Sequence, residues 1–554
     1  MSDSETGNGK DLGFERAQLR RRLAELNAKD RLEALTDAPD AMELVRSVPA
    51  EDLYAAIAEV GLANTAEIVQ LASPEQFRTF IDLGAWTKDR LDVHRATNWL
   101  RAARGDESPE FLAKVRQLDL EVLELILRNS TRLHDKEQDP DVDPAGVTLE
   151  TPEGKYLVEF LVEGAEMSAM RSLVSELIAE NPFEAIRLFE AIRWELPTEL
   201  EEVAFQFRLS RLADLGFPPL DQAAAIFAFA DPGPGAPSPE GDRDELTGPR
   251  PDYLAAAFGG MTDDERELLE EQLRYLANSA LVAEAAEPGD PVAGRRVAEM
   301  VRDYLSLGFE HLCGPDLRSA TAVLRQKGLA GVFRSGFSLT LKLKFQVDRL
   351  DRHPLARLEG EWLVFPEEAR VLSALRQKRP ARAPPMEESE TVGFRSKSEL
   401  HQAEVAIARA GHQIEAIGAL LGGTAEKARQ ALAPFEVPLR ELGVDRLFAA
   451  IAANALLDSS VTVAPVDPDR LGELMEKLID VNNSPSAGLR AGAVELVHSV
   501  LMAKVPASAR AELRRQVERA LSELASDVGP AYQRGQGVDP KAWVNLPLRG
   551  NHGL

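Results

Sequence analysis

Asp37-Ala-Pro-Asp-Ala-Met-Glu-Leu-Val-Arg-Ser-Val-Pro-Ala-Glu-Asp-Leu53, continued by Leu71-Ala-Ser-Pro-Glu-Gln-Phe-Arg-Thr-Phe-Ile-Asp-Leu83, sets the architecture of this chain. Its apolar residues fall in brief helical runs, several of them opened by proline. Pro39 precedes Met42, Leu44 and Val45; Pro49 precedes Leu53, Ile57 and Val60; Ser73-Pro74-Glu75 precedes Phe77, Phe80 and Ile81. Proline is tolerated in a first helical turn because its missing N–H has no partner there in any case. Gly61 marks a stop. A helix of about ten residues is marginal alone, since nucleation is costly and its apolar stripe must find a neighbour. The expected solution is stacking into an armadillo-like, superhelical unit with one face left to solvent.

Working outward, Phe14 to Leu35 reads as an amphipathic helix carrying Leu19, Leu23, Leu26, Leu32 and Leu35, behind a polar leader over residues 1–13. The superhelical domain is placed at 14–140, and within it Leu118 to Leu127 reads as an apolar helix ended by His134 and Asp135. Residues 141–230 hold a hairpin plus helices. The hairpin, near 147–162, is read from Val147 and Leu149, a Thr151-Pro-Glu-Gly154 turn, then Tyr156, Val158 and Phe160. Asp231 to Pro251 packs six prolines into a polar stretch, so 231–252 is a loop. A helical domain at 253–377 follows. Phe333, Phe337, Leu341 and Phe345 fit helical spacing there, although alternate residues from Phe337 to Val347 also fit a strand; no second alternating run lies nearby, so helix is preferred. A linker at 378–398, a helical domain at 399–528 and a tail at 529–554 complete a mainly α chain.

The quoted stretch resembles the cytosolic N-terminal helical domain of bacterial magnesium transporters, a fold similar to the armadillo-like layers of flagellar rotor switch proteins. The chain departs from the transporters in having neither a membrane domain nor nucleotide-binding repeats. Taken whole, Leu83-Gly-Ala-Trp-Thr-Lys-Asp-Arg-Leu-Asp92 and Thr151-Pro-Glu-Gly-Lys-Tyr156 resemble an uncharacterised family of large cytoplasmic bacterial proteins. That second resemblance implies no activity.

Composition narrows the function classes. Lys and Arg number 64 against 91 Asp and Glu, a formal charge of −27, with 44% hydrophobic residues. The chain is too apolar for disorder throughout and too charged to insert in a membrane. Its field repels nucleic acid. The basic runs are short and neighboured by acids: Arg20 to Arg22 lie near Glu15 and Glu25, and Arg376, Lys378, Arg379 and Arg382 precede Glu387, Glu388 and Glu390. Cys313 is the single cysteine, so no intrachain disulfide forms, in keeping with a reducing, cytoplasmic setting.

Three clusters could carry chemistry. Trp86, Lys88, Asp89, Arg90, Asp92, His94 and Trp99 form the densest polar-aromatic group, where a histidine beside aspartate could act as a base; the plainer reading buries the aromatics and pairs the charges at the surface. Asp139, Asp141, Asp143 and Glu150 imitate the oxygen spacing of a calcium loop, but Pro144 occupies the position where the bend needs glycine. A loose magnesium or calcium contact through water is still allowed there, and the chain otherwise calls for no cofactor. His401 with Glu404 and His412 with Glu415 reverse the Glu-x-x-His order of di-metal bundles. Phosphate-loop, dinucleotide-loop, nucleophile-elbow and His-Glu-x-x-His patterns do not occur.

The reading these features favour is a non-enzymatic scaffold or regulatory protein of stacked helices that holds a protein partner, with its negative charge favouring basic ones. A second reading is divalent-cation sensing by the N-terminal domain. A third is an enzyme of unfamiliar type using the Trp86–Trp99 cluster.

Overall fold

The computed structural model describes residues 26–105, 110–236, 251–383, 392–480, 488–533 and 539–550. The leader, residues 14–25 of the expected Phe14–Leu35 helix and the centres of both proline-rich breaks lie outside them; in the described remainder Asn27 is extended and caps a new helix that starts at Ala28, its side chain accepting from Asp30 N–H, so the expected helix does not run unbroken to Leu35. The architecture is mainly α, with only short strands among the described residues. Two compact units form: one from residues 1–226 and 264–301, the other from 227–263 and 302–554.

The first unit opens with α1 (Ala28–Thr36), α2 (Ala41–Ser47), α3 (Ala50–Val60), α4 (Ala66–Leu71) and α5 (Pro74–Gly84). The boundaries follow the punctuation of the sequence. Pro49 sits just before α3, Gly61 ends it at φ 98°, and Ser73 closes a capping box with Gln76 at the start of α5. Helices this short leave most of their carbonyls without intrahelical donors. Side chains of neighbouring helices supply those donors. Gln76 Nε2 donates to the carbonyls of Val45 and Val48 at the end of α2, at 3.0 and 2.8 Å. Arg46 donates to Leu71 O, and the fully buried Lys114 donates from Nζ to Gln70 O at 2.8 Å. The stack is therefore held by polar capping across helices as well as by its Leu, Ile and Phe seams.

Strands β1 (Trp86–Thr87) and β2 (Arg90–Leu91) form a tight ladder before α6 (Val93–Arg104), α7 (Phe111–Arg116) and α8 (Leu120–Ser130). α8 is buried on nearly every side. His134 and Asp135, expected at a helix C-terminus, lie instead in β3 (Thr131–Asp135). The helix stops at Ser130 and the chain goes extended, with Thr131 Oγ1 donating back to Leu127 O. The expected hairpin is thereby widened into a three-stranded antiparallel sheet. Its β5 (Tyr156–Phe160) lies between β3 and β4 (Thr148–Glu150), with Leu133 opposite Val158 and Leu149 opposite Val158 on the other side. α9 (Gly164–Glu180), α10 (Pro182–Trp194), α11 (Pro197–Asp214) and α12 (Leu220–Ala224) follow. α10 and α11 both pack on α8.

In the second unit the ambiguous Phe333–Val347 segment is helical, within Ala320–Asp351, which turns at Gly328 with φ 67°. It crosses the helix Pro291–Cys313 at two glycines: a Cβ on Gly308 would meet Val332 O at 2.1 Å, and one on Gly336 would meet Tyr304 O at 2.0 Å. Phe227, Tyr304, Phe333 and Phe337 pack edge-on around that crossing, with ring centroids 5.1–5.5 Å apart. Further on, the helix Val444–Asp458 is wholly enclosed from Leu447 to Leu457. The tail docks over 539–550: Val466 N–H donates to Pro547 O and Arg549 N–H to Val466 O, both at 2.9 Å, and Trp543 is buried.

Candidate interaction surface

The residues of the Trp86–Trp99 cluster divide between the core and the surface. Trp86 is buried, its indole beneath the Arg208 guanidinium at 5.2 Å. Trp99 is buried between Tyr54 and Phe80, at centroid separations of 5.8 and 5.4 Å. Asp92 caps α6 by accepting from Arg95 N–H. Lys88 turns the β1–β2 ladder at φ 58°, with its own N–H on Glu287 Oε1 at 2.7 Å, while Asp89 and Arg90 are exposed. His94 points to solvent and pairs with Glu166 at 2.6 Å. Beneath the ladder, buried charged groups are tied to the backbone and to one another. Arg208 Nε donates to Asp82 O at 2.7 Å, and Arg211 bridges Asp82 and Asp119.

Asp139, Asp141, Asp143 and Glu150 are all exposed, and Glu150 Oε1 accepts from Lys136 Nζ at 2.7 Å. Among the described residues no three His, Cys, Asp or Glu side chains are grouped to hold a metal ion. His401 pairs with Glu404 at 3.6 Å on an exposed helix face, and Glu415 accepts from Ser508. Cys313 is buried, and burial pushes its thiol pKa up.

What the sequence reading missed is the outward face of α10 and the elbow after it. α10 buries Ala185, Leu188, Phe189 and Ile192. At about 3.6 residues per turn, Phe183, Arg187, Glu190 and Trp194 project from the opposite side. Phe183 is 80% exposed and Trp194 70%. Leu196 at the elbow is 57% exposed, and Val203 and Phe207 on α11 are exposed as well. The exposed charged residues from 183 to 207 are Glu184, Glu195, Glu199 and Glu202 against Arg187 alone. The available signal was α11 itself, whose apolar residues occur all round the helix although only one side is covered.

Charged contacts fix the face. Tyr156 Oη and Lys155 Nζ both donate to Glu190 Oε1, and Trp194 Nε1 donates to Oε2 at 3.2 Å. Those hydrogen bonds hold the Glu190 carboxyl down at about 2. Arg193 reaches Asp135 at 2.8 Å, and its guanidinium lies 5.4 Å from the Trp194 ring centroid. Beneath the elbow lies Glu124 of α8, 1% exposed, with no donor to its Oε2. Burial and the neighbouring Glu195 carboxyl push its pKa up to about 7. Arg128, one turn along α8, donates to Glu195 O.

A family described as of unknown function, DUF6178, matches residues 9–549, nearly the whole chain. The chain belongs to the DUF6178 family. That match carries the resemblance to an uncharacterised family and not the one to magnesium transporters. No curated protein and no solved structure matches the DUF6178 chain. Among its described residues no helix is long and apolar enough to cross a membrane.

Proposed function

We propose that this DUF6178 protein is a non-enzymatic interaction module that holds a basic polypeptide against the outward face of α10 and the α10–α11 elbow. The observation that carries the reading is the placement of Phe183 and Trp194. Each is a large aromatic side chain turned directly away from the core and left open, on an element otherwise well anchored. Exposed aromatic anchors of this kind dominate binding energetics where they are covered by a partner. The acidic surroundings select the sign of that partner.

The test is photocrosslinking of the full chain with benzoylphenylalanine at position 183 or 194, compared with position 496 on the second unit. Crosslinks to a basic protein formed at 183 and 194 and not at 496 are the expected result. Equal labelling at all three positions, or none at 183 and 194, overturns the reading.

A further inference from the structure

We propose that, with no partner in place, the outward face of α10 takes residues 14–26 of a second copy of this chain, a basic amphipathic segment that the partner must displace. The proposal rests on the interaction face argued above and names a further occupant for it. Two features of the face select that occupant. Phe183 and Trp194 lie on one side of α10, eleven residues apart, which is about 16 Å, or three turns of a facing helix. Acids accompany them: Glu184 follows Phe183, Glu195 follows Trp194, and Glu199 and Glu202 are exposed at the start of α11. Cations on and beside α10 are engaged elsewhere, Arg193 by Asp135, Lys155 by Glu190 and Arg128 by the Glu195 carbonyl. The face therefore calls for an apolar stripe flanked by positive charge.

One segment of the chain has that pattern. Arg20-Arg21-Arg22 is its single run of three consecutive cations, and residues 14–25 hold four arginines against two glutamates, a net +2 in a chain whose total is −27. At helical spacing Leu19, Leu23 and Leu26 share one side, with Arg20 and Arg22 at the two edges of the stripe. Leu26, the described end of that stripe, is 38% exposed. The extended Asn27 separates the segment from α1.

The path through the first unit points to another copy. α1 packs on α4, α4 on α6, α6 on α8 and α9, and both of these on α10. Four packing steps of about 8–10 Å each thus lie between α1 and α10, whereas twelve residues in a helix span about 18 Å. Donor segment and acceptor face are different surfaces, so the contact is head-to-tail.

The test mixes isotopically heavy full chain carrying benzoylphenylalanine at position 194 with unlabelled chain lacking it. After irradiation, mass spectrometry identifies the peptide joined to position 194. The expected product joins it to residues 14–26 of the light chain. Reversing Arg20, Arg21 and Arg22 together to glutamate in the light chain should lower the yield about tenfold or more with the melting temperature unchanged, and Glu184→Lys with Glu195→Lys in the heavy chain should restore it. A synthetic peptide of residues 14–26 should compete, and its three-glutamate counterpart should not; should the reversed chain fail to fold, this competition decides.

Joining to residues 14–26 of the heavy chain alone places the segment on its own molecule and overturns the inference. Joining to another part of the light chain, or a yield that the reversal leaves unchanged, also overturns it. A basic protein captured at position 194 from extract, with residues 14–26 never joined in the purified chain, overturns the inference and leaves the interaction face standing. No product in either setting overturns both.

Discussion

Arg211 holds Asp82 in a two-point fork, Nε at 2.6 Å from Oδ2 and Nη2 at 2.8 Å from Oδ1, while the same guanidinium reaches both oxygens of Asp119. Asp82 belongs to α5 and Arg211 to α11, so the fork ties the early short-helix stack to the helix that bears Val203 and Phe207. A carboxylate buried this deeply is tolerable because it is paired. Arg211→Met should therefore cost about 3–5 kcal/mol, and Arg211→Lys much of the same, since an ammonium cannot reproduce the fork. Denaturant unfolding of the full chain reads this, in the transition that shifts. A loss under about 1 kcal/mol in Arg211→Met would show that Asp82 finds solvent or another donor.

The glycine crossing in the second unit gives a sharper comparison. Gly308 and Gly336 leave no room for a methyl group, because backbone atoms of the facing helix would lie within about 2 Å of it. Gly331, on the same helix as Gly336, would meet nothing closer than Lys327 Cβ at 3.4 Å. Gly336→Ala and Gly308→Ala should each destabilise by about 2 kcal/mol or more through forced separation of the helices. Gly331→Ala should stabilise by about 0.5–1 kcal/mol through helix propensity. Thermal unfolding in which the three variants move together would contradict the crossing.

Tyr54 and Gly289 make a third such contact. Tyr54 Oη donates to Gly289 O at 2.9 Å, and burial pushes the phenol up to about 12. A Cβ on Gly289 would lie 2.1 Å from Leu83 O and 2.4 Å from Tyr54 Oη. Tyr54→Phe should cost about 1 kcal/mol, the usual net worth of one hydrogen bond. Gly289→Ala should cost more, because the turn itself has to move. Gly294→Ala, where the added methyl meets open space, is the control for the thermal shift.

These relationships mark the division between what was readable along the chain and what was not. Local punctuation was readable: Pro49, Gly61 and the Ser73–Gln76 box place helix ends because each acts within a turn of its own position. The helical state of Phe333 to Val347 was readable from spacing. His134 and Asp135 were misplaced because the strand Thr131–Asp135 is stabilised by β5, about 25 residues on, and no local rule sees that partner. The buried Trp86 and Trp99 were legible as a dense group, but their roles beneath Arg208 and beside Tyr54 depend on residues far along the chain. The face of α10 was hidden for a related reason. An amphipathic pattern tells which residues can be covered, and only the assembled neighbours tell which remain open.

Glu124 supplies a prediction that needs no partner. Its carboxyl is held up to about 7 by burial and by Glu195 and Glu121. In the unfolded chain it would titrate near the ordinary value of about 4.3. Between those limits the folded state binds the extra proton, so stability falls as pH rises from about 4.5 to 7, and the loss is complete above that range. The elbow should thus be less stable at pH 8 than at pH 5.5 by about 2 kcal/mol, with allowance for solvent near the pair. Glu124→Gln keeps the shape and cannot ionise. It should raise the melting temperature at pH 8, change it little at pH 5.5, and flatten the profile between. Hydrogen exchange of the amides of Trp194 to Leu196 should slow in Glu124→Gln at pH 8 and be unaltered at pH 5.5. A profile that keeps its full slope in the variant would place the titrating group elsewhere.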